Sequence, residues 1–462
     1  MINYISNETY VILKKLIYKG EMKMKLRKIG IGAFMLAMTA TSFGASVDHI
    51  QNYTPEYNAN PALNGAINPG TSAYYNPAGL MQIENGRYFQ VGVSGAMGNQ
   101  KMESNGKDYE ADSFDLVPNI MYVDKNDDRA IYFTFGGLAG GAEFDYEDGV
   151  PTMDKVVGGI NGIFNPSGSP FLPTYELDGN EFAKGSNKYV QATLGRAWFV
   201  TEDLSVSAAA RGIYGSRELE AYLKGDNQGG DLGGIAPESI YASMDAERSA
   251  WGYGFSFGAN YKATEKLNLG ARYDTKVRMN FRTDSTSEGG ISLGGNDIGF
   301  DTIYGQYFNK TRRDLPAILA LGAQYEVTDR WTTYVSGNYY FNESADLDDE
   351  YRPEAKDHYK DGWEVSLGSE YLVTPRVAWL AGVNYAKTGA GSETYHDSEY
   401  ALDSIMLGTG LKFMKDPNTI WVVSVTHYLY DSETVEDTTG LFDDVEYSKE
   451  YTAVGVSLTK RF

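Results

Sequence analysis

From Arg87 to the C-terminus, apolar and polar side chains alternate with a period of two. They do so in runs of 11–15 residues bounded by Gly, Pro, Asn, Asp or Thr-acid turn signals. Fourteen runs follow from this pattern: 87–97, 114–124, 130–141, 188–200, 204–217, 249–263, 267–281, 315–327, 331–341, 362–373, 377–387, 400–414, 420–430 and 450–462. In 267–281, Leu267, Leu269, Ala271, Tyr273, Thr275, Val277, Met279 and Phe281 share one face. The other face carries Asn268, Gly270, Arg272, Asp274, Lys276, Arg278 and Asn280. The run 315–327 likewise puts Leu315, Ala317, Leu319, Leu321, Ala323, Tyr325 and Val327 on one side. Every run is long enough to cross a bilayer as a tilted strand, which takes about 9–11 residues.

The connections sort by parity. Even-numbered runs end in short turns such as "TED", "TEK", "TDR" and "TPR", whereas odd-numbered runs are followed by 12 to 46 residues. An outer-membrane barrel has short periplasmic turns and longer outer loops, and a soluble sandwich has no reason to sort its loops this way. Backbone polar groups in hydrocarbon must all be paired, so the strands have to close. The predicted fold is therefore all-β: a 14-stranded antiparallel transmembrane β-barrel over 87–462, in the outer membrane of a Gram-negative bacterium. Tyr339, Tyr340, Phe341, Trp421 and Tyr428, near strand ends, are expected in the interfacial girdles.

Composition narrows the chemistry. A mean hydropathy of −0.39 argues against helical spans but not against a barrel, whose polar lumen positions offset its lipid face. With no Cys, and with His49, His358, His396 and His427 at no metal-ligand spacing, neither enzyme activity nor a cofactor or metal is expected. Residues 23–44 carry a basic stretch, an apolar stretch from Ile29 and small terminal residues. That is a secretory signal with cleavage expected after Gly44, and Met22 or Met24 is the expected start. Residues 1–44 hold seven basic and two acidic side chains, so removing them leaves 33 basic and 60 acidic groups, a net charge of −27. Such a balance disfavours nucleic acid as a partner.

Between that site and the first run lie residues 45–86, with Pro55, Pro61, Pro69 and Pro77. Their Asn and Pro content fits a disordered tail. Their apolar groups, among them Leu63, Ile67, Tyr74, Tyr75, Leu80 and Met81, exceed what a tail needs. A fourteen-stranded barrel has a lumen that stays open unless something fills it. A plug, or hatch, inside the lumen is expected.

The stretch "YYNPAGLMQIENGRYFQVGVSG" resembles the hatch-to-first-strand junction of the FadL/TodX family, with the motif at Asn76, Pro77, Ala78 and Gly79. "LVPNIMYV" with "DRAIYFTFGG", "DLPAILALGAQYEVTDRWTTYVSGNYYF" and "WEVSLGSEYLVTPRVAWLAGVNY" resemble later hairpins of the same family, in order. The resemblance implies passive uptake of hydrophobic compounds, long-chain fatty acids foremost, by a monomer. Substrate would be captured on outer loops and would leave sideways through a gap made by a kink in strand 3. The glycines at 136, 137, 140 and 141, that is Gly136, Gly137, Gly140 and Gly141, are where such a kink would fall. Ordinary small residues facing crowded hatch side chains are the alternative.

Met153, Val156, Val157, Ile160, Ile163 and Phe164 recur at helical spacing after the third run and form a candidate capture face, or else a loop packed on its neighbours. Arg211, Arg272, Lys276 and Arg278 fall on polar, inward positions and could hold a carboxylate. Pairing with acids such as Asp274 or Glu326 is the simpler role. Residues 342–361 carry eight acidic and three basic groups, and 431–449 carry seven and one. Such loops would repel anions, admit neutral hydrocarbons, or hold cations shared with lipopolysaccharide. The terminal run, ending at Phe462, resembles the strand signal read by the barrel-assembly machinery. A small-solute porin and a surface adhesin are the alternatives.

Overall fold

The computed structural model describes residues 50–462 except 140–142, 233–235, 294–295, 300–309, 348–357, 398 and 437–443. The expected signal segment 1–44, and with it Gly140 and Gly141, lies outside the described residues.

The fourteen strands are β1 (Gly86–Ser104), β2 (Lys107–Lys125), β3 (Ala130–Ala139, resuming at Phe144–Tyr146), β4 (Phe182–Phe199), β5 (Leu204–Asn227), β6 (Ser239–Lys262) and β7 (Leu267–Asp274, resuming at Asn280–Leu293). They continue with β8 (Ile318–Thr328), β9 (Trp331–Tyr340), β10 (Gly362–Thr374), β11 (Val377–Lys387), β12 (Ser404–Asp416), β13 (Thr419–Tyr430) and β14 (Val445–Arg461). Each pairs antiparallel with its neighbour in sequence. The seam between β1 and β14 closes the barrel from Tyr88↔Arg461 to Glu103↔Glu446. Alternation sorts the faces as expected: Trp251, Tyr253, Phe255 and Phe257 of β6 are exposed, and Ser256 among them and Asn260 beyond them are buried. Of the aromatics expected in girdles, Tyr339 and Trp421 face outward, but Tyr340 and Tyr428 are buried on the inner side.

Two sequence expectations fail for identifiable reasons. Residues 98–113, expected as a loop, are strand: β1 and β2 run on and meet in a two-residue hairpin, Asn105–Gly106, with φ of 53° and 73°. Polar outward residues such as Lys101, Asp108 and Glu110 hid this part, because it projects beyond the apolar band. Asn-Gly is the strongest short-range hairpin signal, since both positions need positive φ. The 31-residue loop expected after the fifth run shrinks in the same way, as β5 and β6 extend to Asn227 and back to Ser239.

The other failure concerns β7. Its lower part pairs with β6 at Ser256↔Asp274 and its upper part at Ser249↔Arg282. Eight steps along β7 thus oppose seven along β6. One extra residue is a β-bulge, and a one-residue slip moves every later side chain to the opposite face. The Thr275 hydroxyl fills the ladder there, accepting from Phe255 N at 2.9 Å. Val277, Met279 and Phe281, expected on the lipid face, are buried inside with Ile50 and Leu138. Lys276 and Arg278, expected inside, face out.

Because Gly106 sits at positive φ with open space around it, Gly106→Ala isolates backbone strain. We expect a loss of about 1 kcal/mol in urea unfolding, and a smaller loss for Gly106→Asn, which tolerates that region. Equal losses for both would count against the strain explanation.

Candidate functional site

The lumen holds residues 50–85. They contain helix α1 (Pro55–Ala59), helix α2 (Ser72–Tyr75) and a 3-10 turn at Pro77–Gln82. Thr54 caps α1, its hydroxyl accepting from Tyr57 N at 3.2 Å. Nearly every residue from Thr54 to Met81 is buried.

The motif residues Asn76, Pro77, Ala78 and Gly79 lie in this buried segment and make its joints. Asn76 Nδ2 donates to Asn260 Oδ1 at 2.7 Å, and Ser205 Oγ donates to the Ala78 carbonyl at 2.8 Å. A Cβ at Gly79 would lie 2.6 Å from Asn76 Nδ2 and 2.7 Å from Ile67 Cδ1. The barrel also makes room for the segment's backbone. A Cβ at Gly382 would lie 2.6 Å from Pro61 Cδ, and one at Gly408 would overlap the Asn58 carbonyl. Gly270, Gly322 and Gly368 are approached as closely by Asn64, Gly65 and Asn60.

Two of the four predicted carboxylate ligands are committed to this packing. Arg272 Nη1 donates to the carbonyls of Tyr74 (2.6 Å) and Tyr75 (3.0 Å), and its Nε lies 3.3 Å from Asp274. Arg211 lies 3.9 Å from Asp274 and donates to Gln191 at 2.8 Å. Both arginines and Asp274 are buried, and a cavity of about 20 Å³ between them and Tyr74 leaves room for little more than one water. Lys276 and Arg278, as shown above, are on the outer face.

At strand 3 the wall changes. β2 and β3 pair from Lys125↔Ala130 to Asn119↔Gly136, and among the described residues no ladder joins them beyond that point. The opposing residue is Pro118, which has no N–H to offer a ladder. On its other side β3 stays paired with β4 through a register shift between Gly137 and Ala139. Gly136 and Gly137 therefore sit where pairing lapses. The carbonyls released here are met from inside, where Gln51 N donates to Leu138 O (2.9 Å) and Tyr53 N to Gly137 O (3.4 Å). The Gln51 side chain crosses the lumen to the opposite wall, donating to Tyr340 Oη at 2.9 Å and Glu364 Oε1 at 2.5 Å.

Directly above lies an apolar cluster of Ile50, Leu138, Tyr189, Ile213, Val277, Met279 and Phe281. Over it are three buried arginines that the sequence reading missed: Arg217, Arg248 and Arg313. Arg217 stacks on Phe281 with Cζ 5.4 Å from the ring centroid and lies 3.9 Å from Glu399, to which Arg313 donates at 2.6 Å. Arg217 and Arg248 face each other across β5 and β6. Arg217 closes the fifth run with the parity of Arg211, so its signal was present, whereas Arg248 and Arg313 fall in stretches that the pattern reads as loop.

The residues at helical spacing after strand 3 form helix α3 (Pro151–Phe164), and its apolar face, as far as its side chains are described, is packed against protein; the Ile163 side chain lies outside the described residues. Met153, Val156, Val157 and Ile160 are buried against Tyr146, Tyr175, Leu223 and Ile240, and Phe164 packs on Tyr175. Asp397 accepts from Thr152 N at 2.9 Å near the start of α3. Burial pushes its carboxyl up despite that bond.

Two outcomes follow from the lumen packing. Gly408→Leu should unseat the segment without opening the wall. Protease sites within 50–85 would then appear and sugar permeability would rise severalfold; an unchanged digestion pattern would refute the close fit. Burial also pushes the Glu56 carboxyl above its ordinary range, against hydrogen bonds led by that from Ser457. Its contribution to docking is full below pH 4.5, its ordinary value, and fades as pH rises through the raised value. Proteolysis of the segment should thus increase with pH in the native chain and lose that slope in Glu56→Gln.

Comparison with known proteins accords with this architecture. The P. putida toluene transporter TodX superposes with a TM-score of 0.62 at 16% identity, covering 89% of this chain and 99% of that one. A Pseudomonas aeruginosa FadL homologue gives 0.65 at 15%, covering 91% and 100%. Outer membrane protein P1 of Haemophilus influenzae is 24% identical over 222 residues, 42% of this chain. That alignment spans about half of the relative, 46% of its length. A family profile described as outer membrane protein transport protein (OMPP1/FadL/TodX) matches residues 173–462. With that match over more than half its length, the chain belongs to the OMPP1/FadL/TodX family of outer-membrane transport proteins.

Proposed function

We propose that this protein carries hydrophobic molecules bearing a carboxylate, long-chain fatty acids foremost, passively across the outer lipopolysaccharide layer and releases them sideways between β2 and β3. The observation that carries this reading is the lapse of pairing beyond Asn119↔Gly136, with the apolar cluster around Leu138 directly inside it. An apolar molecule in that cluster has lipid on one side and a packed segment, residues 50–85, beneath it. Residues 50–85 act as the hatch in this reading: they bar the straight path to the periplasm, so polar solutes do not pass and the lateral route is favoured. Arg217, Arg248 and Arg313 over the same cluster suit a carboxylate head group, which arginine binds through paired, charge-assisted hydrogen bonds. The toluene transporters among the similar folds make neutral aromatics the natural comparison substrate.

The chain has no cysteine, so the exit can be sutured cleanly. A Cβ at Gly137 would lie 3.9 Å from Val117 Cβ, within the range a disulfide requires. The assay is uptake of radiolabelled long-chain fatty acid, toluene and a small sugar by cells lacking their own such channel. The native chain should import the acid without leaking sugar. Val117→Cys with Gly137→Cys should lose at least about fivefold of that uptake when oxidised and regain it on reduction. Arg217→Gln with Arg248→Gln should lower fatty-acid uptake about tenfold and spare toluene. Sugar leakage without hydrophobic uptake would instead establish a porin.

A further inference from the structure

The bulge in β7 leaves basic side chains on the outer surface of a chain that is otherwise strongly acidic. Lys276, Arg278 and Arg282 are all exposed, while Val277, Met279 and Phe281 between them are buried inside. They lie toward the long-loop end, and hence the outer leaflet, because both chain ends and the short turns mark the periplasmic side. The neighbouring surface is aromatic. Tyr273 sits just below on β7, and Trp251 and Tyr253 of β6, at 64% and 75% exposure, flank the same level. On the other side, Tyr339 and Phe341 follow, with ring centroids 5.0 Å apart. Such aromatics mark the interface between hydrocarbon and head groups.

The charges here are of two kinds. Arg312, cross-strand from Asn280, is neutralised by Asp314 (2.6 Å) and Asp346 (2.9 Å). Lys276 donates to the Ser344 carbonyl at 2.8 Å and lies 4.0 Å from Asp314. Among the described residues, Arg278 and Arg282 form neither an ion pair nor a hydrogen bond through their side chains. They share one face four residues apart, a span of about 13 Å. Beyond Arg282 the surface turns acidic, with Glu247 opposite both Asp284 and Glu218. The outer wall is thus banded from aromatic through basic to acidic.

We propose that Arg278 and Arg282, with Lys276 beside them, bind the phosphates of an outer-leaflet phosphorylated glycolipid, the lipid A portion of lipopolysaccharide. Guanidinium groups pair with phosphate oxygens through forked hydrogen bonds, and at the membrane interface such pairs are less screened than in bulk water. The aromatic band beneath would lie against the acyl chains. Commitment to a glycolipid rather than a soluble anion rests on position: the pair stands at girdle height on the lipid-facing surface, below the acidic band that faces water.

The test uses the full chain, purified and stripped of lipid in neutral detergent. It is titrated with bisphosphorylated lipid A, dephosphorylated lipid A and phosphatidylglycerol, and binding is read by native mass spectrometry. The native chain should prefer bisphosphorylated to dephosphorylated lipid A by about tenfold or more. Arg278→Gln with Arg282→Gln should erase that preference, Arg278→Lys with Arg282→Lys should keep part of it, and Arg87→Gln with Arg196→Gln should leave it intact. Heat-modifiable mobility on gels verifies that each variant is folded. Equal binding of the native chain and the Gln pair, or equal binding of phosphatidylglycerol and lipid A, would overturn the assignment. Substrate uptake is measured separately, so failure of the lipid site and failure of the transport reading are distinguishable.

Discussion

A wall in hydrocarbon cannot leave backbone hydrogen-bonding groups unpaired, and this constraint organises the molecule. Twelve of the fourteen strand interfaces meet it along the membrane-crossing region by continuous ladder pairing, including the β1–β14 seam, while β6–β7 is interrupted at its bulge, between Ser256↔Asp274 and Ser249↔Arg282. Between β2 and β3 the ladder stops at Asn119↔Gly136, where Pro118 has no donor to contribute. The structure answers from inside, with Gln51 and Tyr53 supplying N–H groups to Leu138 and Gly137. This interrupted stretch of wall and the lumen segment are thereby tied together. A substitution that moves Gln51 acts on the wall, and one that straightens β3 acts on the segment. Glu364, holding Gln51, Tyr340, Asn338 and Asn384, anchors that link to the far side of the barrel.

Filling the lumen imposes the second layer of order. A backbone as irregular as residues 50–85 brings many amide groups into a buried space, and each needs a partner. The inner wall supplies them with Asn, Ser, Gln and Arg side chains, while glycines on β7, β8, β11 and β12 let the two backbones approach and one on β10 makes room for the Asn60 side chain. This is why Arg211 and Arg272, with Asp274, are unsuitable as substrate ligands: removing either guanidinium would leave a buried carboxylate or carbonyl without its donor. Above the segment lies a second group of buried arginines, Arg217, Arg248 and Arg313, with Glu399 between two of them.

Most of the fold was legible because strand period and loop parity are both imposed by the bilayer. Neither quantity needs a tertiary contact to be seen. The segment before β1 was legible only as an excess of apolar residues; its short helices carry too few turns to show a period. What escaped lay where the bilayer stops dictating pattern. β1, β2, β5 and β6 outrun the membrane, and there polar outward residues resemble loop even though Asn105–Gly106 announced a hairpin. The α3 spacing was visible, but whether its apolar face meets solvent or protein is decided by Tyr175, Leu223 and Ile240, all distant in sequence or on other elements.

The bulge in β7 shows how little separates the two surfaces of such a wall. One additional residue between Asp274 and Arg282 exchanges the destinations of Lys276 and Arg278 with those of Val277, Met279 and Phe281. The exchange works in two directions at once. Inward, it delivers Met279 and Phe281 to the apolar cluster beside Leu138, so the cluster next to the interrupted β2–β3 ladder owes its character to a slip four strands away. Outward, it removes two charges from a lumen already holding Arg211 and Arg272 and sets them at the height of the aromatic girdle. Without the slip, the same residues would have made an inner wall with buried cations and a lipid face with more hydrocarbon than its level in the membrane requires. Register, more than composition, decides what this barrel shows to its cargo and what it shows to the membrane.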